Sequence, residues 1–485
     1  MSTLTLTGVG YDLPDSTLFD DVNLRLDRGD RVALVGDNGA GKTTLLSLAA
    51  GSLEPDRGCV TARGRVAYLP QHLPLVPEVP GSGGEIQRQR LVELLTDLPD
   101  LVLLDEPTHH LDADAMAWLE DHLLSTARDA AVLFVSHDRA FLDAVATHVA
   151  FLERGALRVE AGNYTAATQR RQAQDEATAR RHHAQARDRA RLRAEAGRQH
   201  SKARSAGAFD KRRAEGQPLL LAKNKAENVS NTLARRARSI AARLEREDVI
   251  EKPWQDRRRL EFVAEPSTSG PTEVITAEGL VVRRGALTIV PNLDLYVRRG
   301  ERIALVGPNG SGKSTTLDVL RGARAPDGGS VRHGVGLRIA RTDQTGEPWA
   351  GSLGAAGTVG GVLRDANPAL SDTDVWRVTA SVGVPSGPDR PLSDLSGGER
   401  RRLTLARIAV TDAHLLVLDE PTHHLDLRAV EALESLLGSF TGTLLFATHD
   451  RRLVERLATS VWRFGEGGLE PESVTPGQPS SMLRQ

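Results

Sequence analysis

Short apolar runs alternate with glycine-rich turns and polar stretches along most of this chain. Arg31–Val35 is a mostly apolar run that leads into a glycine-rich turn, and the pattern beyond the turn predicts a helix beginning at Lys42. Leu101–Leu104 and Ala131–Val135 are continuous apolar runs of the length expected for strands covered on both faces. The pattern therefore predicts a parallel α/β fold.

The middle of the chain follows a different pattern. Residues 168–213 contain almost no large apolar side chain, and their Ala, Arg, Gln and Glu content favours helix. A face of small residues is formed by Ala173, Ala177 and Ala184. Beyond a turn at Gly216–Pro218, an aliphatic stripe at helical spacing is formed by Val229, Leu233, Ile240 and Leu244. These features predict an antiparallel helical hairpin whose arms of about 30 residues would each extend roughly 45 Å.

An internal repeat organises the α/β regions. Residues 30–44 and 301–315 read DRVALVGDNGAGKTT and ERIALVGPNGSGKST. Residues 101–112 and 415–426 read LVLLDEPTHHLD and LLVLDEPTHHLD, and residues 135–139 and 447–451 read VSHDR and ATHDR. We therefore predict two homologous α/β domains (1–165 and 272–465), a basic helical linker (166–271) and a flexible tail (466–485).

Composition narrows the class of protein. The 485 residues are 40% hydrophobic and 26% charged, and the single cysteine, Cys59, excludes a disulfide framework or a cysteine-based metal site. No apolar run approaches the roughly 18 residues of a membrane span, and the N-terminus lacks a signal peptide, so we expect a cytoplasmic protein. The net charge of −2 conceals 25 Lys/Arg against 12 Asp/Glu in residues 168–260. Such one-signed charge suits a nucleic-acid backbone, although a solvated helix pair that merely links domains is an alternative.

Two glycine-rich loops match the pattern G-x-x-x-x-G-K-[ST], in which backbone N–H groups and a lysine surround phosphates. The first ATP-binding loop comprises Gly36, Asp37, Asn38, Gly39, Ala40, Gly41, Lys42, Thr43 and Thr44. The second comprises Gly307, Pro308, Asn309, Gly310, Ser311, Gly312, Lys313, Ser314 and Thr315. The repetition argues against chance, so we predict two sites for ATP and Mg²⁺, with the Thr43 and Ser314 hydroxyls as metal ligands.

The catalytic groups are expected at the ends of the next strands. Asp105 and Asp419 each end an apolar strand, where a carboxylate would orient the Mg²⁺ shell. Glu106 and Glu420 follow directly and are predicted to activate the attacking water, although a solvated Asp-Glu pair is the alternative. One strand later, the repeated residues His137 and His449 are predicted to contact the γ-phosphate.

These motifs resemble those of ATP-binding cassette (ABC) proteins. The second repeat carries LSGGE at Leu395–Glu399, similar to the ABC signature, and the first carries GSGGE at Gly81–Glu85. Gln71 and Gln344 resemble the Q-loop glutamines, which implies further Mg²⁺ and nucleotide contacts, and residues 111–112 and 425–426 resemble D-loops. The resemblance implies that the cassettes pair head to tail within one monomeric chain, each ATP lying between the P-loop of one cassette and the signature of the other.

Two composite sites follow from this resemblance. Site one would combine the first P-loop, Gln71, Asp105, Glu106 and His137 with Ser396, Gly397, Gly398 and Glu399. Site two would combine the second P-loop, Gln344, Asp419, Glu420 and His449 with Ser82, Gly83, Gly84 and Glu85.

The sequence departs from the ABC pattern in three places. Tyr11 stands where ABC proteins stack an aromatic ring on adenine, whereas Val282 is at the matching position of the second repeat. Gly81 replaces the usual leucine of the signature. Only 11 residues separate Gln71 from Ser82, against 52 in the second repeat, so the first cassette lacks most of the usual helical subdomain. All three departures belong to site two, which we expect to be the weaker site; an error in gene prediction or assembly is the alternative for the short interval.

Two cassettes joined by a charged helical linker resemble the ABC-F family. That resemblance implies that the linker reaches the ribosome near the peptidyl-transferase centre and contacts rRNA and tRNA, with a tip at about Ala206–Leu221 that includes Phe209. Gly162–Thr165 (GNYT) is similar to the beginning of the family's linker. The absence of an extra arm in the first cassette favours antibiotic protection over a general translation factor. An exporter ATPase subunit, a DNA-maintenance ATPase and a degraded paralogue remain alternatives.

Overall fold

The computed structural model of the chain describes residues 2–71, 83–96, 99–108, 111–126, 130–207, 219–246, 270–285, 287–342, 357–382, 384, 387–422, 425–465 and 467–473. Gly81, Ser82, Gln344, Phe209, most of the predicted hairpin tip and the part of the predicted tail beyond Ser473 lie outside these ranges. The beginning of that tail, Gly468–Ser473, is a strand paired with Ser460–Gly465. The chain forms two compact units. One comprises residues 1–167 with 258–485 and contains both repeats, and the other comprises residues 168–257.

The elements of the two repeats occur in the same order. The first repeat contains β1 (Ser2–Leu13), β2 (Ser16–Asp27), β3 (Arg31–Val35), α1 (Lys42–Ala49), β4 (Arg57–Ala62), β5 (Val66–Leu69), α2 (Gly83–Thr96), β6 (Leu101–Asp105), α3 (Ala113–Thr126), β7 (Ala131–Val135), α4 (Arg139–Val145), β8 (His148–Glu153) and β9 (Ala156–Ala161). The predicted strands at residues 31–35, 101–104 and 131–135 and the helix beginning at Lys42 are confirmed.

The second repeat follows the helical segment. It contains β10 (Glu273–Arg284), β11 (Leu287–Arg298), β12 (Arg302–Val306), α7 (Lys313–Leu320), β13 (Gly328–His333), β14 (Ile339–Thr342), α8 (Val359–Ala366), α9 (Asp372–Ser381), α10 (Gly397–Val410), β15 (Leu415–Asp419), α11 (Leu427–Ser439), β16 (Thr443–Ala447), α12 (Arg451–Leu457), β17 (Ser460–Gly465) and β18 (Gly468–Ser473). Here α8 and α9 pack on α10 as a helical subdomain.

Each repeat is built on one six-stranded sheet. The strand orders are β5-β6-β7-β3-β8-β9 and β14-β15-β16-β12-β17-β18, and all neighbours in each run are parallel except the last pair. Three-stranded antiparallel sheets, β2-β1-β4 and β11-β10-β13, accompany them. The predicted fold class, a tandem of parallel α/β domains, is therefore confirmed.

Complete burial explains the apolar runs of the central strands. Val102 and Leu104 of β6 join one buried cluster, whereas Leu101 and Leu103 join another on the opposite face of the sheet. Successive side chains of a strand point to opposite faces, so a strand covered on both sides has no position for a polar residue.

The second unit is formed by two helices, α5 (Tyr164–Gly207, beginning in the first unit) and α6 (Leu219–Arg246). At 1.5 Å per residue they extend about 66 and 42 Å. The Ser230 hydroxyl donates to the carbonyl of Ala203 over 2.8 Å, so the helices touch near the end where the chain turns back. No helix among the described residues is long and apolar enough to cross a membrane.

The predicted packing faces of these helices are only partly correct. The buried side chains include Ala179, Ala203, Ala237 and Leu244. Ala173 and Ala184 are exposed, and 46% of Val229 is exposed. An α-helix has 3.6 residues per turn, so a face assigned over a few turns drifts around a helix as long as α5.

Candidate functional site

The two phosphate-binding loops have the same backbone geometry. Gly41 and Gly312 precede α1 and α7 in the left-handed region, at φ 99° and 105°. A Cβ at Gly41 would lie 2.9 Å from Leu18 and Phe19, and one at Gly312 only 2.3 Å from Ile289. Glycine is therefore required at both positions for conformation and for space.

The P-loop lysines lie inside these loops. Lys42 Nζ donates to the carbonyl oxygens of Gly36 and Asp37 at 2.8 and 3.0 Å. Lys313 Nζ makes the equivalent bonds to Gly307 and Pro308 at 2.9 and 3.0 Å. Both lysines are buried, and this burial lowers their pKa. A buried ammonium group next to the N-terminus of a helix is well suited to bind a polyphosphate.

The predicted Mg²⁺ ligands of the first repeat are brought together. Asp105 ends β6 and accepts a hydrogen bond from the Thr43 side chain. Burial raises the pKa of Asp105, and its Oδ2 has no hydrogen-bond partner among the described residues. A hydroxyl and a buried carboxylate are the hard oxygen donors that Mg²⁺ prefers, so these residues fit the ion. Asp419 occupies the equivalent end of β15, and Gln71 is exposed just beyond β5.

The predicted catalytic glutamates are buried and have an unusual backbone conformation. Glu106 and Glu420 have φ values of 52° and 47°, which are costly for a residue other than glycine. Their backbone N–H groups donate to Val135 at 3.0 Å and Ala447 at 2.9 Å, which holds each turn against the neighbouring strand. In both repeats the unusual φ therefore lies at the place where catalysis is predicted.

Each glutamate is paired with the predicted histidine. His137 Nε2 lies 3.0 Å from Glu106 Oε1, and His449 Nε2 lies 3.2 Å from Glu420 Oε1. In the second repeat His449 Nε2 is also 3.0 Å from Lys313 Nζ. Burial raises the pKa of Glu420 to about 7, a range that suits a general base. The structure thus brings these predicted site residues together, and their catalytic roles stay predictions.

The adenine-side residues differ between the repeats. Tyr11 on β1 is partly buried, with its ring centre 6.4 Å from that of Phe19. Val282 holds the matching position on β10 and is completely buried. The first repeat therefore has a partly exposed aromatic ring at this position, where the second has an aliphatic side chain inside its core.

The second signature forms the beginning of a helix. The Ser396 hydroxyl accepts from the Glu399 N–H at 3.3 Å, and Glu399 Oε2 accepts from the Ser396 N–H at 2.9 Å, which is a capping box before α10. Arg390 donates to Glu399 at 2.8 Å, and this contact is the main cause that lowers the pKa of Glu399 to about 2. In the first repeat, Gly83 begins α2. The predicted contacts of both signatures with ATP stay predictions.

The two repeats face each other through equivalent residues. Asp426, from the second D-loop, acts electrostatically on Lys42, and Asp112, from the first, acts on Lys313. Each D-loop thus lies near the opposite P-loop, which is the head-to-tail relation that composite sites need.

Two ion pairs hold this arrangement, and sequence patterns did not indicate either of them. Arg139 of α4 pairs with Glu434 of α11 at 2.6 Å, and Arg451 of α12 pairs with Glu120 of α3 at 3.2 Å. The arginines are the last residues of the repeated VSHDR and ATHDR segments, and the glutamates stand at equal distances after the repeated LDEPTHHLD segments. This repetition is the feature of the sequence from which the two ion pairs could have been predicted.

The GNYT segment lies where the first turn of α5 meets both repeats. The buried Tyr164 donates its hydroxyl hydrogen to Glu431 of the second repeat at 3.1 Å. Thr165 donates through its N–H and hydroxyl to Asp143 of the first repeat at 2.7 and 2.6 Å. Arg452 of the second repeat contacts both Asp143 and Thr165. The root of α5 is therefore held by both cassettes.

Two P-loop domains, each with its D-loop near the P-loop of the other, define a tandem nucleotide-binding protein. A family model described as "ABC transporter" matches residues 19–80 and 290–423. The chain is 33% identical to the ATP-binding protein Uup of Caulobacter vibrioides, over 96% of this chain and 78% of that protein. It therefore belongs to the ATP-binding cassette family and is of the ABC-F type.

Other relatives have more specific names. The tylosin resistance ATP-binding protein TlrC of Streptomyces fradiae is 32% identical, over 96% of this chain and 98% of that protein. The ribosome protection protein VmlR of Bacillus subtilis is 29% identical, over 97% and 88%. Among solved structures, RNase-L Inhibitor is similar in fold, with a TM-score of 0.59 and 18% identity over 97% of this chain and 90% of that one.

Proposed function

We propose that this protein is a cytoplasmic ATPase that acts on the ribosome and protects it from an antibiotic bound near the peptidyl-transferase centre. The proposal is supported by the similarity to proteins named for ribosome protection and for tylosin resistance. It is also supported by a pair of long helices whose charge suits RNA.

The observation that carries the ribosome proposal is the charge of α5 and α6. Together they contain 18 Lys/Arg against 6 Asp/Glu, and most of the described arginines on them are exposed. Arginine binds phosphate through planar, bidentate hydrogen bonds, and a long exposed array of one sign favours an extended phosphate backbone over a compact protein partner.

In the proposed mechanism the residues of site one have separate roles. The first P-loop binds the phosphates, with Lys42 neutralising their charge and Thr43 and Asp105 holding Mg²⁺, which supplies electrophilic stabilisation when bound. Glu106 accepts a proton from the attacking water, and His137 contacts the γ-phosphate. Cassette closure places Ser396–Glu399 on the nucleotide, and hydrolysis reopens the pair.

Closure and ribosome binding are tested together by blocking hydrolysis. The Glu106→Gln/Glu420→Gln variant should pellet with purified 70S ribosomes through a sucrose cushion when ATP is present and stay in the supernatant without it. A Lys42→Ala/Lys313→Ala variant is the matched control, because it keeps both glutamates and loses phosphate binding, and it should stay in the supernatant. Failure of the first variant to pellet with ATP contradicts the proposal.

The role of the helices is tested in the same assay. Arg187, Arg189, Arg191 and Arg193 lie within α5, and their joint replacement by Gln should abolish pelleting. Replacement of the exposed Arg25, far from α5 in the sequence, should leave pelleting unchanged. Excess duplex DNA that competes equally with ribosomes would instead indicate a general nucleic-acid ATPase.

Antibiotic protection is tested by translation in a cell-free extract. The wild-type protein should restore translation that is inhibited by at least one member of a panel of drugs that bind at the peptidyl-transferase centre or the adjoining exit tunnel. A drug that acts on the small subunit is the negative control. Ribosome binding without rescue from any drug of the panel would favour a general translation factor.

A further inference from the structure

One arginine of the second repeat extends to the phosphate loop of the first. Arg428 lies in the first turn of α11, two residues after the D-loop aspartate Asp426. Its Nη1 is 3.2 Å from Oδ2 of Asp37, the second residue of the first P-loop, and its Nη2 pairs with Glu153 at the end of β8. β8 is the direct neighbour of β3, the strand that leads into this P-loop. Two carboxylates therefore flank the site at which a triphosphate is proposed to bind.

These carboxylates oppose the binding of an anion unless a cation neutralises them. Partial burial raises the pKa of Asp37, and Arg428 is the principal group that counteracts this effect. The side chains of Arg428, Asp37 and Glu153 are 38%, 52% and 25% exposed, so water and salt partly screen the electrostatic interactions among these groups. The compensating charge comes from the second repeat, and it is present only while the repeats are docked.

The opposite site has none of these three charges. Aligning the repeated motifs places Asp114 at the position of Arg428 and Pro308 at that of Asp37. The equivalent strands β8 and β17 place Gly465 at the position of Glu153. The arrangement is thus confined to the first P-loop, although the ion pairs Arg139–Glu434 and Arg451–Glu120 are symmetric.

We infer that Arg428 is a positioning residue for site one, which neutralises Asp37 and Glu153 and so makes ATP affinity at the first P-loop depend on docking of the second repeat. This inference deepens the proposed function and rests on it. Arg428 acts through the two carboxylates and through the loop that contains Asp37, so contact with the nucleotide is not part of its role. Site two binds nucleotide without this dependence.

The test measures ATP binding at site one alone. The full-length chain carries Glu106→Gln to prevent hydrolysis and Lys313→Ala to weaken site two, and Mg-ATP binding is measured by calorimetry without ribosomes. In this background Arg428→Gln should raise the Kd for ATP about three- to tenfold at low salt. The increase should fall below about twofold at 1 M salt, where the Debye length is only about 3 Å. Arg428→Lys should keep most of the affinity.

The decisive variant removes the charges that Arg428 neutralises. Arg428→Gln combined with Asp37→Asn and Glu153→Gln should restore the Kd to within about twofold of the background, because no carboxylate then needs compensation. The matched control is Asp114→Asn, at the position equivalent to Arg428, which should leave the Kd unchanged. If Arg428 acts instead through packing, the rise in the Kd for ATP should persist at 1 M salt and in the combined variant. Either result overturns the inference.

The outcomes separate this inference from the proposed function. A background variant that binds no ATP would contradict the proposed ATPase and the inference together. ATP binding that Arg428→Gln leaves unchanged would overturn the inference alone, and ribosome sedimentation is measured independently. If Arg428→Gln alone fails to fold, Arg428→Lys and the combined variant, which carries no unpaired charge, still decide the question.

Discussion

The two equivalent ion pairs between the repeats differ in burial, and that difference predicts unequal energies. The side chains of Arg139 and Glu434 are 5% and 2% exposed, whereas those of Arg451 and Glu120 are 19% and 15% exposed. Removing one partner of a buried pair costs about 3–5 kcal/mol, because the remaining charge is left buried without compensation. Pairs with access to water contribute about 0–1 kcal/mol. Glu434→Gln should therefore destabilise the interface between repeats far more than Glu120→Gln.

Hydrogen exchange followed by mass spectrometry measures this difference locally. At about 1.4 kcal/mol per factor of ten, the loss at Glu434 corresponds to exchange faster by about two to four orders of magnitude in α4 and α11. Glu120→Gln should accelerate exchange in α3 and α12 by less than about tenfold. Exchange in β1 and β10, which make none of the contacts between repeats named above, serves as the internal control for global unfolding.

Two results would refute this reasoning. Equal acceleration by the two substitutions would show that burial does not set the energy of the pairs. An effect of Glu434→Gln below about fivefold would show that Arg139 is stabilised by other groups. A further check is the double variant Arg139→Gln/Glu434→Gln. It should accelerate exchange less than Glu434→Gln alone does, because it leaves no buried charge at position 139.

Three further predictions concern turnover, the root of α5 and pH. Glu106→Gln should lower ATP turnover more than about tenfold and Glu420→Gln less than about twofold, since the departures from the ABC pattern fall on site two; equal losses would contradict that asymmetry. In urea unfolding, Tyr164→Phe should lower the free energy of unfolding by about 0.5–1.5 kcal/mol, because the hydrogen bond to Glu431 is lost. Tyr164→Ala should lower it by about 3–5 kcal/mol, because a cavity opens. Equal losses would show that burial of the ring is not the main contribution. Burial, with the nearby Asp138 adding to it, raises the pKa of Asp450 to about 6, so its contribution to stability is lost as pH rises through 6. Asp450→Asn should therefore melt above the wild type at pH 7.5, and the gap should narrow as the pH falls from 6 towards 4; a gap independent of pH would disprove the assignment.

Local patterns were enough to predict the architecture of each repeat. A run such as Ala131–Val135 has only one stable environment, a strand covered on both faces, and the structure places it there. The P-loops were equally predictable from the sequence, because the positive φ at Gly41 and Gly312 requires glycine at both positions. Burial along the helical hairpin was harder to predict, since small alanines give a weak periodic signal and Ala173 is exposed where Ala179 is buried.

The class of fold, the repeat and the phosphate-binding loops depend on neighbouring residues and on backbone chemistry, so all three can be predicted from the sequence. The contacts between side chains of one repeat and those of the other become visible only in the folded protein. Glu120 and Arg451 are 331 residues apart, and Tyr164 and Glu431 are 267 apart. The position of Arg428 beside Asp37 likewise follows from the docking of two separately formed sheets. No local pattern specifies such contacts, because they depend on how complete domains pack, and they place a charge at one ATP site that the other lacks.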